Sequence, residues 1–160
     1  MNARRLRRRC AARLRDLRLP VPFDIDALCA RIAAGRGRPI HLRAIPGLTG
    51  VCGLWIATDA ADIIFYEQVT VPPHREHIVL HELSHLLCDH YPASLSLADQ
   101  ARLLLPNLDP ALVRRVLGRT GYSCEQEREA ELLASLIRQR AHAEATVADR
   151  LRTALDGGHG

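Results

Sequence analysis

The chain has 160 residues and a formal net charge of +4, with 48% apolar, 25% charged and 4% aromatic residues. This composition suits a single globular domain with an aliphatic core and excludes collagen-like, coiled-coil-only and wholly disordered chains. Because no apolar run approaches the roughly 18 residues of a membrane span and the N-terminus lacks the apolar core of a signal peptide, we expect a cytoplasmic protein without a membrane partner.

The positive charge is concentrated at the N-terminus. All 22 basic residues are arginine, and eight of them lie within residues 1–20, which carry only one acidic residue. Residues 21–160 hold 14 arginines against 17 acidic residues, so the body of the protein is slightly acidic. This asymmetry disfavours nucleic acid as a partner of the whole domain. Phosphate contacts by residues 1–18 stay open as an alternative, although no helix-turn-helix signature accompanies them.

The cysteines do not form a disulfide or zinc-finger pattern. They number five and are scattered, with no C-x-x-C pair, at Cys10, Cys29, Cys52, Cys88 and Cys124. Disulfide frameworks favour even, clustered sets, so this usage indicates a reducing compartment and buried thiols.

Two helices are predicted before the first strand. The first covers residues 3–18 and ends before Pro20. The second covers about 25–34, begins after Asp24, which can cap it, and ends at two nearby glycines.

Three β-rich segments follow, at residues 40–44, 51–57 and 62–68. The short turn over residues 58–61 favours a hairpin between the last two. Tight links of this kind predict a small three-stranded antiparallel meander rather than a βαβ unit.

The second half of the chain is predicted to be helical. Helices are expected over residues 74–90, 94–105, 110–118 and 123–142, followed by a polar C-terminal stretch. The fold class is therefore α+β, with a small sheet beside several helices.

The strongest functional motif lies in the first of these helices. Residues 81–85 read His81-Glu82-Leu83-Ser84-His85, the H-E-x-x-H pattern. On a helix, the two histidines project from one face and can bind a single Zn²⁺, while Glu82 can act as general base toward a water molecule. A helix that carries these histidines without binding a metal is the alternative.

The third metal ligand is predicted in the helix near residue 127. Glu127 and Glu131 lie four residues apart at the edge of its apolar face, so Glu127 can bind the metal and Glu131 can accept a hydrogen bond from a ligand histidine. Glu125 and Glu129 are predicted to point outward into solvent. A wholly solvated row of glutamates is the alternative.

These two motifs resemble those of the ImmA/IrrE family of zinc metallopeptidases. The second motif reads Glu127-Arg128-Glu129-Ala130-Glu131-Leu132-Leu133-Ala134, where Glu131 replaces the usual Asn and Leu133 the usual Phe. The resemblance implies Zn²⁺ bound by His81, His85 and Glu127, with Glu82 as the catalytic residue.

The resemblance also implies an organisation and a partner. It spans about residues 40–140, so the chain divides into a basic helical arm (1–38), a zincin-like metallopeptidase domain (39–145) and a polar tail (146–160). It implies endopeptidase activity on a protein partner, in several relatives a helix-turn-helix repressor. The long separation of the two motifs suggests that residues 92–121 form a helical lid.

Several side chains remain alternatives within the site. His90 and Cys88 follow the motif closely enough to contribute to the metal site, and Tyr122 or Tyr66 could donate a hydrogen bond to an oxyanion. A second function class is a non-catalytic regulatory protein of the toxin–antitoxin type with a structural or vestigial metal site. Closure of the fourth metal position by His90 or Cys88 would favour that second class; an open position would favour the enzyme.

Overall fold

The computed structural model describes residues 2–48, 53–91, 96–103, 105, 107–117 and 121–156. Its elements are, in chain order, α1 (Ala3–Asp16), α2 (Ile25–Arg36), β1 (Ile40–Ile45), β2 (Gly53–Ala57), β3 (Asp62–Glu67), α3 (Pro72–Leu87), α4 (Leu97–Leu103), α5 (Pro110–Leu117) and α6 (Cys124–Asp156). Each predicted element has a counterpart, which confirms the α+β class. Cys52 and the predicted strand start at residues 51–52 lie outside the described residues, as do residues 94–95, 104 and 118 of the predicted helices.

The ends of α2 follow the predicted capping. The Asp24 carboxylate accepts the backbone N–H of Ala27 at 2.7 Å and so satisfies one of the free donors of the first turn. Gly37 ends the helix in the left-handed conformation with φ of 62°, which glycine adopts without steric cost.

The sheet is not the predicted antiparallel meander. Its strand order is β1-β3-β2: β2 runs antiparallel to β3, but β1 runs parallel to β3. The fully buried Ile63, Ile64 and Phe65 suit β3 to the central position, where a strand pairs on each side and helices cover both faces. The more polar β1, with His41 exposed, occupies an edge instead.

The two faces of the sheet pack against different helices. One face contributes Trp55 and Ile64 to a core shared with α1, α2, α3 and α6. The other contributes Ile63 and Phe65 to a second core that includes Leu103 of α4 and residues of α5. Since α4 and α5 cover the face opposite α3, the described part of residues 92–121 does not form the lid that was predicted over the motif.

The last helix is longer than predicted. It continues past residue 142 to Asp156, through most of the segment expected to be a tail, because glycine and proline are both missing from Cys124 to Asp156 of the sequence. Its first half packs on α3 through Leu133 and Ile137, which are fully buried. Burial of one such side chain contributes about 1.5–3 kcal/mol, so this packing positions α6 firmly against the motif helix.

Arginines bind α1 to the rest of the protein. Arg13 donates hydrogen bonds to the carbonyl oxygens of Leu87 and Cys88 at the C-terminus of α3. In turn, Arg140 of α6 donates to the carbonyl oxygen of Leu14 at 2.7 Å. Cationic donors satisfy the free carbonyl groups at helix C-termini, so part of the N-terminal charge has a structural role.

Candidate metal centre

The H-E-x-x-H residues lie in the last two turns of α3, between the sheet and α6. His81 and His85 leave the helix on the same face because they are four residues apart. The side chain of His85 is fully buried, whereas that of His81 remains 22% exposed. The pair therefore lies at the boundary between the core and a surface cleft.

Glu127, in the first turn of α6, meets this histidine pair. Its Oε2 atom lies 3.2 Å from Nε2 of His81 and 3.7 Å from Nε2 of His85, and the two Nε2 atoms are 3.1 Å apart. We call these three residues the open trio. A tetrahedral Zn²⁺ with ligands at about 2.0–2.1 Å separates neighbouring ligand atoms by roughly 3.3 Å. The donor atoms of the open trio fit that geometry.

The open trio faces solvent through a cleft. Its walls include His81, Glu127, Arg128, Glu131, Leu132 and Ser135. Ser135 also lines a second cleft further along α6, together with Phe23, Glu76, Arg138 and His142. The two clefts adjoin, so an extended molecule can reach the trio along α6.

Glu82 is buried beside the trio and is held by the sheet. Its Oε2 atom accepts the backbone N–H of Trp55 in β2 at 2.9 Å. Burial raises the pKa of Glu82 to about 8; the Trp55 N–H opposes this shift, and the negative charge of Glu127 adds to it. The backbone at Gly53 permits this close approach, since a Cβ there would lie 2.6 Å from Ile78 and 2.9 Å from Glu82.

The surroundings of His85 favour the neutral imidazole that can bind a metal. Burial, together with the neighbouring His81 and His90, lowers its pKa to about 3. A neutral imidazole carries a lone pair on one ring nitrogen, and this lone pair is what coordinates Zn²⁺.

Glu131 occupies the supporting position predicted for it. Its Oε2 atom lies 3.3 Å from Nδ1 of His81, opposite the nitrogen that faces Glu127. A proton on Nδ1 directed at this carboxylate leaves the Nε2 lone pair for the metal. The same carboxylate is 3.9 Å from Nε2 of His77, one turn earlier on α3.

Of the two tyrosines considered, Tyr122 lies at the site. Its ring stacks on that of His85 with centroids 3.7 Å apart. Its hydroxyl oxygen is buried and has no hydrogen-bond partner among the described residues, and burial raises its pKa, with the charges of Glu82 and Glu127 adding to the effect. Tyr66 instead packs beneath the Arg75 guanidinium, 5.0 Å from the ring centroid.

A second cluster lies on the other side of His85. Cys88, His90 and Glu129 have donor atoms within 4.8 Å of one another, and all three residues are buried. We call them the sealed trio. His90 reaches back over His85 because Asp89 turns the chain after α3 with φ of 57°. Its Nδ1 atom lies 3.1 Å from Nδ1 of His85, and its Nε2 atom 3.3 Å from Oε2 of Glu129.

The prediction that Glu129 points into solvent is wrong. Only 4% of its side chain is exposed, and Oε1 lies 3.1 Å from the Arg9 guanidinium of α1. Its position four residues before the buried Leu133 was a sequence signal for this burial. The positive charge that faces Glu129 belongs to Arg9, 120 positions earlier in the chain, and no local sequence pattern indicates this contact. Glu125 is exposed, as predicted.

The alternative ligands His90 and Cys88 both belong to the sealed trio. Neither is part of the group formed by His81, His85 and Glu127. Among the described residues, these two side chains therefore do not close the fourth position around the open trio.

Comparisons with known proteins add no relatives. No protein-family model matches the chain, no curated protein matches it, and no solved structure matches it. None of the helices in the described ranges is both long enough and apolar enough to cross a membrane.

Proposed function

We propose that this chain is a zinc-dependent endopeptidase that cleaves a protein partner. The observation that carries the proposal is the convergence of His81, His85 and Glu127 beside the buried carboxylate of Glu82. Side chains from two helices, with a backbone N–H from a strand, contribute to one site beside an open cleft. The motif resemblance to ImmA/IrrE peptidases adds support and suggests a transcriptional regulator as substrate.

Metal binding and proton transfer are assigned to different side chains of the site. His81, His85 and Glu127 would hold Zn²⁺, which supplies a Lewis acid that lowers the pKa of water toward about 7. The positive charge of a bound cation would lower the pKa of Glu82 from its metal-free value of about 8, so that its carboxylate could accept the proton of the attacking water and pass a proton to the leaving amine. The Trp55 N–H orients the Glu82 carboxylate for this transfer.

Tyr122 would stabilise the negative charge that develops on the carbonyl oxygen. Its pKa is raised, so the hydroxyl stays protonated at neutral pH and can donate a hydrogen bond. A buried hydroxyl without a partner in the described part of the chain is available to a substrate atom. Such preorganised donors act on the charge that forms in the transition state.

The adjoining clefts along α6 favour a polypeptide as substrate. They run from the open trio past Ser135 toward Phe23 and His142. A protein segment can occupy this length. The His-His-Glu donor set supports zinc as the metal, because it suits Zn²⁺ better than Mg²⁺ or Ca²⁺.

The test combines zinc content with cleavage. We expect the zinc-loaded protein to cleave the product of the neighbouring gene, or members of a peptide library, and chelator to abolish the cleavage seen by mass spectrometry. Glu82→Gln should keep one zinc per chain but lose about 10²- to 10⁴-fold in rate. The matched control Glu125→Gln, in the exposed first turn of α6, should retain full activity. Cleavage that survives in Glu82→Gln would contradict the proposal.

A further inference from the structure

We infer that His90 and Glu129 are positioning residues that set the tautomer of His85 and so direct its Nε2 lone pair toward the open trio. The inference rests on the proposed role of His85 as a metal ligand. It concerns which ring nitrogen carries the proton in His85 and in His90. It follows from three successive contacts, which join Arg9 to Glu129, Glu129 to His90, and His90 to His85.

These contacts begin at the carboxylate of Glu129, which faces the guanidinium of Arg9. Arg9 lies 3.1 Å from Oε1 of Glu129, and the other oxygen, Oε2, lies 3.3 Å from Nε2 of His90. An ionised carboxylate only accepts hydrogen bonds. The contact between Oε2 and His90 therefore requires the proton of His90 to lie on Nε2.

The proton on His90 then determines the proton on His85. A neutral imidazole carries one N–H, so His90 with its proton on Nε2 has a lone pair on Nδ1. That lone pair faces Nδ1 of His85 at 3.1 Å, and because both rings are buried away from water and from the cleft, one of the two nitrogens must carry a proton to satisfy the other. The proton must belong to His85, and its Nε2 atom is left as the acceptor that faces His81 and Glu127.

Burial makes this proton arrangement specific. His85 is 0% exposed and His90 is 5% exposed, so water cannot supply the hydrogen bonds that a wrong tautomer would lose. A buried donor or acceptor without a partner costs about 1–3 kcal/mol, which favours the fully bonded arrangement over the reverse one.

The same proton count argues against an independent metal ion in the sealed trio. If Nε2 of His90 bound a cation, its proton would lie on Nδ1 and would be donated to Nδ1 of His85. The proton of His85 would then lie on Nε2 and would point at the open trio. The two trios therefore exclude each other as simultaneous sites, although their donor sets look alike.

The first test reads the tautomers directly. In protein labelled with ¹⁵N-histidine, long-range ¹H–¹⁵N spectra without metal should show His85 protonated on Nδ1 and His90 protonated on Nε2. Addition of zinc should shift Nε2 of His85 and leave the protonation of both rings unchanged. His85 protonated on Nε2 would overturn the inference. Since these spectra need no turnover, they separate the inference from the peptidase proposal.

The second test uses matched variants and zinc titration. His90→Phe removes the acceptor for His85 Nδ1–H, and we expect its zinc affinity to fall about 10- to 100-fold. His90→Gln offers a side-chain carbonyl oxygen in its place and should restore most of the affinity. The control His41→Phe, on the exposed edge of β1, should bind zinc as the wild type does. Equal loss in His90→Phe and His90→Gln would contradict a role in hydrogen bonding.

A third measurement identifies the metal's ligands. Co²⁺ bound by the open trio has nitrogen and oxygen ligands only, so its spectrum should lack thiolate-to-metal charge-transfer absorption. Strong absorption of that kind, lost in Cys88→Ser, would place the ion in the sealed trio and overturn the inference. A protein that shows the expected tautomers but binds no zinc would instead refute the proposed function alone.

Discussion

The two trios around His85 contain similar donors but lie in different environments. Glu127 of the open trio has 48% of its side chain exposed, whereas Glu129 of the sealed trio has 4%. Both glutamates come from the first turns of α6, two residues apart, so they face opposite sides of the helix. One side borders the cleft and the other packs on α1. A ligand from solution can therefore reach the open trio through the cleft, whereas the sealed trio is shielded from solvent.

The largest expected effect on zinc binding comes from removing a ligand of the open trio. We expect His81→Ala to lose zinc affinity by more than the roughly 100-fold typical of supporting residues, and to lose turnover with it. The measurement is zinc content after dialysis at fixed free zinc, in parallel with the cleavage assay. Zinc retention equal to that of Glu82→Gln would contradict the roles assigned to the two residues.

For the free energy of unfolding without metal, we expect a residue of the sealed trio to matter more than a residue of the open trio. Glu129→Ala leaves the buried His90 N–H and one face of Arg9 without an acceptor, so it should lower the free energy of unfolding by about 1–3 kcal/mol. Glu127→Ala removes a half-exposed carboxylate and should change it by less than about 0.5 kcal/mol. Urea denaturation in the presence of chelator measures both. Equal effects would show that Glu129 is not sealed.

The close packing of Gly53 against Glu82 can be tested by adding a methyl group at Gly53. Gly53→Ala places a methyl group within 2.9 Å of Glu82 and Ile78, so we expect a loss of about 1–3 kcal/mol and a displaced Glu82 carboxylate. Gly35→Ala is the matched control, because nothing lies within 4 Å of its Cβ position and it is inside α2. That substitution should stabilise the protein by up to about 1 kcal/mol. A neutral Gly53→Ala would contradict the close approach.

The smallest effect concerns the thiol of the sealed trio. Burial, followed by the charge of Glu129, raises the pKa of Cys88 to about 12. Only about one molecule in 10⁴ then carries the thiolate at pH 8, since the group ionises only as the pH rises toward its pKa. Iodoacetamide should therefore modify the exposed Cys124 long before Cys88.

Cys29 provides the reference for that labelling. Burial raises its pKa to about 12 as well, and it belongs to neither trio. Peptide mapping should show Cys88 and Cys29 reacting at similarly slow rates in folded protein. Faster modification of Cys88 would indicate that the sealed trio opens to solvent.

Local sequence patterns account for the elements and for the members of the open trio. Spacing of four residues put His81 and His85 on one face, and the same spacing put Glu127 and Glu131 together. The capping of α2 by Asp24 was also predictable, because these effects act within one or two turns. Helical periodicity thus accounts for which side chains of the open trio share a face on each helix.

The strand order and the sealed trio depended on contacts distant in sequence. The central strand β3, with β1 parallel beside it, has Ile63, Ile64 and Phe65 buried under helices that come both before and after the sheet in the chain. Glu129 is buried because Arg9 of α1 supplies its counter-charge. Periodicity reports which face of a helix is apolar, but the energy of burying a charge depends on its partner, and only the tertiary structure brings the two together.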